Sequence, residues 1–566
     1  MDDGSRKFII IGIAVVLLIM ALSGAIGVVK IYNKANEREE HKVTTSNKAV
    51  ESLCQHTDYR KSCRKSLANA NDTDEPQELM KIAFNSAINE IEHAINKSST
   101  LQLAVAKDPR ATQALEMCKS FLTTSIDDLK RSLKKLDSFD ISKMEEHLAD
   151  LKVWLSGSLT YQETCLEGFK NTTGDVGEKM KKILKLGGKL TSNGLAMVNS
   201  VDEYLGEVQL TSMGSRRLLD KGMNHDHHAY AWWKKGYKRL LIDVDWKTLK
   251  PDMIVAQDGS GTFKTIMEAI KKVPNNNTQP FIIVIKQGVY KEYVDIPRFV
   301  NNVVFIGEGH KKTRIIGNKN YDEGEATYYT ATVAVNGDGF MAKGIWFENT
   351  AGPVKHQAVA LRISGDMAII HNCAMHGYQD TLYAHAYRQF YRQCTITGTV
   401  DFVFGNAAAV FQDCKMIVRK PPPLNNECVV TAQGRKYRNS QGGLILQNCT
   451  ITGDHDYLAT NPRPRTYLGR PWKLYSRTII MQSFIDGIIA PQGWAPWAGT
   501  FGLDTCYYGE FNNRGPGSNT THRVRWKGIK KITPEEAARY TPGKYIQGDL
   551  WIKATGVPYT SGMMNV

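Results

Sequence analysis

Hydrophobic and polar residues alternate in two different ways along this chain. Between residues 47 and 212, apolar side chains recur every three or four positions. IAFNSAINEIEHAI from Ile82, LEMCKSFLTTSIDDLKRSL from Leu115 and MEEHLADLKVWLSGSL from Met144 each lay one apolar stripe along a helix. Prolines are scarce, and Asp108-Pro109 falls between two such stretches. The spacing predicts four or more amphipathic helices on short links, an all-α antiparallel bundle. From Met253 the period changes. FIIVIKQGVY, VVFIGEG, TRIIGN, TATVAV and GIWFENTAG are short β-branched and aromatic runs punctuated by Gly, Asn and Asp, which is how an all-β domain reads. Two-residue hairpin turns are not evident. A phrase recurs instead: Glu348-Asn349, Asn372-Cys373, Gln393-Cys394, Asp413-Cys414 and Asn448-Cys449, at intervals of 23, 21, 20 and 35 from Thr350. The long last interval holds a proline-bearing excursion from Lys420 to Cys428. Such a repeat predicts a parallel β-helix, with like residues stacked and buried amides bonding up and down a ladder. A β-sandwich is the alternative; the leucine consensus of leucine-rich repeats is absent.

The same repeat sets two aspartates in matching places. Aligning Cys373 with Cys394 also aligns Gly377 with Gly398 and Asp380 with Asp401, all offset by 21 residues. On neighbouring coils they would lie roughly 5 Å apart in backbone. Two carboxylates that close cannot both ionise freely, so the pair offers one acid and one base or nucleophile. Spacing leaves the two jobs interchangeable. The plain alternative is a pair of solvated turn residues, and the setting argues against it: Gln379 adjoins Asp380, and Val400, Phe402, Val403 and Phe404 surround Asp401. Leu468-Gly469-Arg470-Pro471-Trp472 offers a planar cation for a carboxylate and an indole for a sugar face. No G-x-S-x-G elbow and no H-E-x-x-H motif occurs. A carboxylate pair also suits a glycosidase, which would cut the polymer rather than an ester.

Length and charge narrow the setting. At 566 residues with 42% apolar content, two to four domains with real cores are expected. A net charge of +15 favours an acidic partner, and the absence of zinc-finger or RNP-like signatures argues against nucleic acid. Phe8 to Val29 is an apolar run long enough to span a bilayer, preceded by Arg6 and Lys7. It reads as a signal-anchor, with a cleaved signal peptide as the alternative. Residues 31–46 form a polar stalk, and the remainder is expected outside the cytosol. Four of the ten cysteines lie in the helical part and six in the β part, and even numbers in exported domains suggest disulfides. The first four allow three pairings; in the β part Cys394 stacks beside both Cys373 and Cys414. Asn71, Asn96, Asn171, Asn276 and Asn519 are candidate glycosylation sites, while Asn448 sits on the ladder. Residues 213–249 read as a linker carrying two dibasic phrases, Arg216-Arg217-Leu218-Leu219 and Lys238-Arg239-Leu240-Leu241, either of which could be cut.

QDGSGTFKTI, HQAVALR, GYQDTLY, DFVFGNAAAVFQDC and YLGRPW, spread over most of residues 250–560, resemble the motifs of plant pectin methylesterases. The helical part, with its four cysteines, resembles the pectin methylesterase inhibitor domain that precedes such enzymes, and RRLL resembles their processing motif. The resemblance implies a right-handed parallel β-helix over residues 250–566 that removes methyl esters from homogalacturonan, preceded by an inhibitor-like bundle over 47–212. It implies Asp401 as nucleophile, Asp380 as proton donor and then base, Gln379 and Gln357 at the oxyanion, Arg470 orienting Asp401, and Trp472 and Thr327 at the sugar. It also implies the disulfides Cys394–Cys414, Cys54–Cys63 and Cys118–Cys165, and no metal or organic cofactor. The implied partners are methylesterified homogalacturonan, the chain's own inhibitor-like domain, separate inhibitors, a processing protease and, before processing, a membrane. The destination is the cell wall. A β-helical pectin lyase or polygalacturonase and a wall-binding protein without catalysis are the competing readings.

Overall fold

The computed structural model describes residues 40–213 and 250–565, except 69, 71, 72, 74, 171 and 424–426. The apolar run 8–29, the linker with its dibasic phrases, and the candidate sites Asn71 and Asn171 lie outside the described residues. Among the described residues no helix is long and apolar enough to cross a membrane. The chain divides into two compact units, one on each side of the linker region.

The first unit is helical: α1 (Glu40–Gln55), α2 (Arg60–Ser66), α3 (Pro76–Ser98), α4 (Pro109–Asp137), α5 (Met144–Glu167) and α6 (Val176–Met213). Helices α3, α4, α5 and α6 pack in a closed ring, each against the next and α6 back against α3. Their stripes meet in a core that includes Phe84, Ile91, Leu122, Leu151, Leu159 and Leu195. Asp108-Pro109 is a helix start. The Asp108 side chain accepts from the Ala111 amide at 3.1 Å, and Pro109 opens α4 where no amide donor is needed. Cys54–Cys63 clips α1 to α2, and Cys118–Cys165 joins α4 to α5. A polar layer crosses the core: the Gln162 amide donates to Ser125 Oγ and Thr191 Oγ1, each at 3.1 Å, and the Ser125 and Ser158 hydroxyls meet at 2.6 Å.

The second unit is a parallel β-helix of three sheets holding eleven, eight and seven strands among the described residues. One coil runs through Ala368–His371 in the first sheet, Ala374–His376 in the second and Leu382–Ala384 in the third. The next runs through Arg388–Arg392, Thr395–Gly398 and Val403–Gly405. The registers Ala374↔Thr395 and Leu382↔Val403 preserve the 21-residue offset read from the sequence. The inner strands of the first sheet are buried on both faces, which explains runs such as FIIVI and VVFIG. Their inner side chains fill the coil; the outer ones, including Val284, Ile306, Ile369 and Val410, pack against Ile532, Ile546, Trp551 and Ile552 of the C-terminal segment.

The recurring phrase proves to be a corner near the surface: Asn448 Nδ2 donates to Asp413 Oδ1 at 2.6 Å along the stack, but the row is not a buried amide ladder. Asn372, Gln393, Asp413 and Asn448 have φ between 49° and 55° and turn the chain from the first sheet to the second. This left-handed conformation, which Asn and Asp tolerate best, throws the side chain outward. Asn372 and Gln393 are exposed, while the cysteines that follow point into the core. Glu348-Asn349 is out of register with the others. Ala374 pairs with Trp346, so the matching corner is Gly344-Ile345, with Gly344 at φ 69°.

The Cys394–Cys414 bridge is not formed: all six cysteines of this unit are reduced. Cys373, Cys394, Cys414 and Cys449 stand in one inward row. Their thiols donate to main-chain carbonyls, Cys394 to Ile370 and Arg392 at 3.3 Å, and Cys414 to Tyr391 and Gln412 at 3.5 Å. Each sulfur is thus satisfied along the coil wall.

Candidate active site

Asp380 and Asp401 occupy the corners that lead into the third sheet, on adjacent coils. Both have left-handed backbone, φ 60° and 52°. The turns are tied together by Thr399 N–H donating to Tyr378 O at 2.9 Å and Asp380 N–H donating to Val400 O at 3.1 Å. Asp380 is 8% exposed and Asp401 4%. Here the likeness between them ends. Arg470 grips Asp401 with both arms of its fork, Nε to Oδ1 at 2.8 Å and Nη2 to Oδ2 at 2.6 Å. Among the described residues the Asp380 carboxyl has no hydrogen-bond or ion-pair partner.

The third sheet explains how a residue 69 positions away reaches Asp401. Phe404 pairs with Ala432, and Ala432 pairs with Arg470. The small side chain at Ala432 leaves room for the arginine to fold back across a whole coil. Electrostatics follow from this asymmetry. Burial raises both carboxyl pKa values; the charge of Asp401 raises Asp380 further, well above the usual carboxylate range. Arg470 opposes the rise at Asp401 through its charge and its direct bonds. Asp401 is therefore the member that ionises first, and Asp380 the one that keeps the proton.

The remaining expected residues lie around this pair. Ala358 N–H donates to Gln379 O at 3.2 Å, so Gln357 and Gln379 sit on neighbouring coils. Both side chains are half-buried, and Gln357 Oε1 is buried without a hydrogen-bond partner. Thr327 opens a short 3-10 turn, Thr327–Tyr329, beside the Gln357 coil, where Val359 N–H donates to Thr330 Oγ1 at 3.1 Å. Trp472 meets Phe404 edge-on at 6.0 Å, and Phe404 stacks on Tyr383 at 4.2 Å. The indole lies so close to Gly434 that a Cβ there would come within 2.7 Å of the ring. One aromatic was missed in the sequence: Trp497, half-buried, carries the Arg470 guanidinium at 4.4 Å over its ring. Its only signal was a tryptophan in the Pro- and Gly-containing stretch APWAG.

The family model for pectinesterases matches residues 252–549, and that for plant invertase/pectin methylesterase inhibitors matches residues 48–197. The chain belongs to the pectinesterase family. It is 48% identical over 568 residues to a putative pectinesterase/pectinesterase inhibitor 28 of Arabidopsis thaliana, covering all of this chain and 76% of that protein. It is 54% identical over 390 residues to a pectinesterase of Petunia integrifolia, covering 68% of this chain and all of the relative. Among solved structures, the pectin methylesterase from carrot matches with a TM-score of 0.55 and 48% identity, over 56% of this chain and 99% of the other. The β-helix is thus a pectin methylesterase fold, preceded by an inhibitor-type helical domain.

Proposed function

We propose that the β-helical unit hydrolyses the C6 methyl esters of homogalacturonan through an acyl-enzyme on Asp401. The observation that carries this reading is the unequal treatment of two equivalent aspartates. The carboxylate held ionised and oriented by Arg470 attacks the ester carbonyl. The amide groups of Gln379 and Gln357 donate to the oxygen that becomes negative, an interaction that strengthens as the tetrahedral intermediate forms. The buried, unpartnered amide oxygen of Gln357 fits a side chain built to meet substrate rather than protein. Collapse breaks the bond to the methoxy oxygen, which takes the Asp380 proton and leaves as methanol. Asp380, now a carboxylate, deprotonates a water that attacks the acyl carbon; Asp401 departs and Asp380 is protonated again. Trp472 and Trp497 supply flat apolar surfaces for sugar rings, and Thr327 a polar edge. Incubation with methylated pectin tests the reaction. Methanol release without shortening of the polymer is expected; unsaturated or new reducing ends would instead indicate a lyase or hydrolase.

The inhibitor-type unit restrains the enzyme until the linker is cut, and the cut protein works in the cell wall. The inhibitor family match and the dibasic phrases support this. The uncut chain should release methanol much more slowly than the form beginning after Leu219 or Leu241, and N-terminal sequencing of wall-extracted protein identifies the cut. Equal activities would leave the bundle a folding or trafficking role. Net charge +15 suits retention on a polyanionic wall, so salt should elute the protein.

A further inference from the structure

Arg419 lies just beyond the strand Lys415–Val418 of the second sheet, outside the constellation described so far. Its contacts are unusually organised. The backbone N–H of Arg419 donates to Gly398 O at 2.8 Å. Its side chain reaches a coil further, where Nη1 donates to Gly377 O at 2.9 Å and Nη2 to the Tyr378 hydroxyl at 2.8 Å. The guanidinium also lies 3.8 Å above the Tyr378 ring. Gly377 and Gly398 are the matching glycines of the repeat, each three residues ahead of a catalytic carboxylate. One residue thus holds the entry to both aspartate turns, through its main chain on one coil and its side chain on the other.

We infer that Arg419 is a positioning residue that sets the separation and orientation of Asp380 and Asp401. The inference rests on the acyl-enzyme reading above. Both aspartates occupy left-handed backbone that a non-glycine residue keeps only when its surroundings impose it. On the Asp401 turn, Arg470 adds a side-chain anchor. The Asp380 turn has no such anchor on its carboxyl; the Arg419 clamp on Gly377 and Tyr378 supplies the restraint one step earlier. A lysine can donate to the carbonyl and the phenol, but its ammonium has no planar fork to stack on the ring and hold both bonds in fixed directions. The other charged and titratable groups around Arg419 are His376, whose Nδ1 lies 3.3 Å from Nη1, and Asp454, 3.9 Å from Nε. Glu348 faces His376 in turn at 3.8 Å, and Arg314 is bonded to Glu348. Those facing Asp380 are Asp401 and Arg470.

The test compares Arg419→Met, Arg419→Lys, Tyr378→Phe and Asp401→Asn, each made in the full chain and assayed in the form in which wild type is active. Arg419→Met should lower kcat about 30- to 100-fold, with KM changed less than about threefold, because a displacement near 1 Å is costly to chemistry and not to binding. Arg419→Lys should fall between it and wild type, and Tyr378→Phe should lose only a few-fold. The alkaline limb of kcat/KM should move to lower pH in Arg419→Met, since carboxylates that drift apart no longer raise Asp380 as far. Repeating the profile with His376→Gln in the background removes the neighbouring histidine as its source. Should Arg419→Met not fold, Arg419→Lys and Tyr378→Phe carry the comparison. The inference is overturned if kcat per folded molecule stays within twofold of wild type and the limb does not move, or if activity falls only in step with the folded fraction. An active Asp401→Asn would sink the underlying mechanism instead, whatever the Arg419 variants do.

Discussion

The turn from Gly377 to Asp380 and the turn from Gly398 to Asp401 hold the same place on the coil and end alike, in a buried aspartate with left-handed backbone, yet the two carboxyls meet different company. Arg470 takes hold of Asp401, whereas Asp380 faces a buried neighbour and no cation of its own. A repetitive scaffold delivers two identical carboxyls side by side; a residue from outside the repeat bonds to one and leaves the other without a cation partner, the asymmetry on which the proposed roles of nucleophile and acid rest. The sharpest way to break this comparison is to neutralise each member alone. Asparagine is the substitution of choice because it tolerates the left-handed backbone at both positions. Asp401→Asn should lower methanol release by on the order of 10⁴-fold or more, because it removes the proposed nucleophile. Asp380→Asn should cost less, on the order of 10²- to 10⁴-fold, the range of a lost general acid. Rate assays on methylated pectin decide it, and the reverse ranking would exchange the two roles.

Smaller effects sharpen the same contrast. Gln379→Ala should reduce kcat by on the order of 10²- to 10³-fold with little change in KM, as for loss of one oxyanion donor. Arg470→Lys touches only the Asp401 side. Replacing a planar fork by a point charge gives up one charged hydrogen bond, about 1.5–3 kcal/mol, so kcat/KM should fall roughly 10- to 100-fold. The sign of its pH effect is fixed. Arg470 pulls the Asp401 pKa down against burial; weakening that pull lets it rise, so the acid limb of kcat/KM should move to higher pH. An Arg470→Lys enzyme with an unmoved acid limb would mean that Asp401 is not the group titrating there.

The aspartate pair was legible because a β-helix turns spacing into proximity: equal offsets put Gly377 beside Gly398 and Asp380 beside Asp401. Arg470 was legible only as a motif. It joins the site through coils of unequal length, Val403 pairing with Thr431 and Thr431 with Gly469, so no constant period leads to it. The same limit explains the corners. Periodicity reports that Asn372, Gln393, Asp413 and Asn448 are equivalent, and it cannot report a backbone conformation that sends them outward. Trp497 was overlooked because it lies outside the repeat's spacing. Arg419 lies on it, at the place that Tyr378 and Thr399 hold on the preceding coils, and was overlooked because its role comes from contacts with residues on another coil. Gln412 and Gln447, each just ahead of the cysteine phrase on its coil, form with Gln482 an outward row bonded to Thr560, Gly562 and Met564 of the C-terminal tail, contacts that spacing alone does not show. In the helical unit the 3.6-residue period announced the helices directly, and Asp108-Pro109 marked a helix start because its chemistry is local.

The smallest expected effect concerns stability rather than rate. The folded-state pKa of Asp380 lies well above its unfolded value, chiefly through burial and next through the Asp401 charge. Between those two pKa values the folded chain binds the extra proton, so the stability contributed by protonated Asp380 is complete below the unfolded pKa. It is lost as pH rises through the folded one. The side-chain amide that Asp380→Asn introduces cannot ionise and never incurs this loss. Asp380→Asn should therefore match wild type in melting temperature near pH ~3.5 and exceed it by about 2 °C or more at a pH above the folded-state value. A thermal-melt series over pH measures the difference directly. Arg470→Lys should change melting in the opposite sense over the same series, because it leaves the Asp401 carboxylate buried with a poorer partner. A variant pair that moved in the same direction would show that the two turns, alike in backbone, are also alike in electrostatics, and would remove the asymmetry on which the assignment of acid and nucleophile depends.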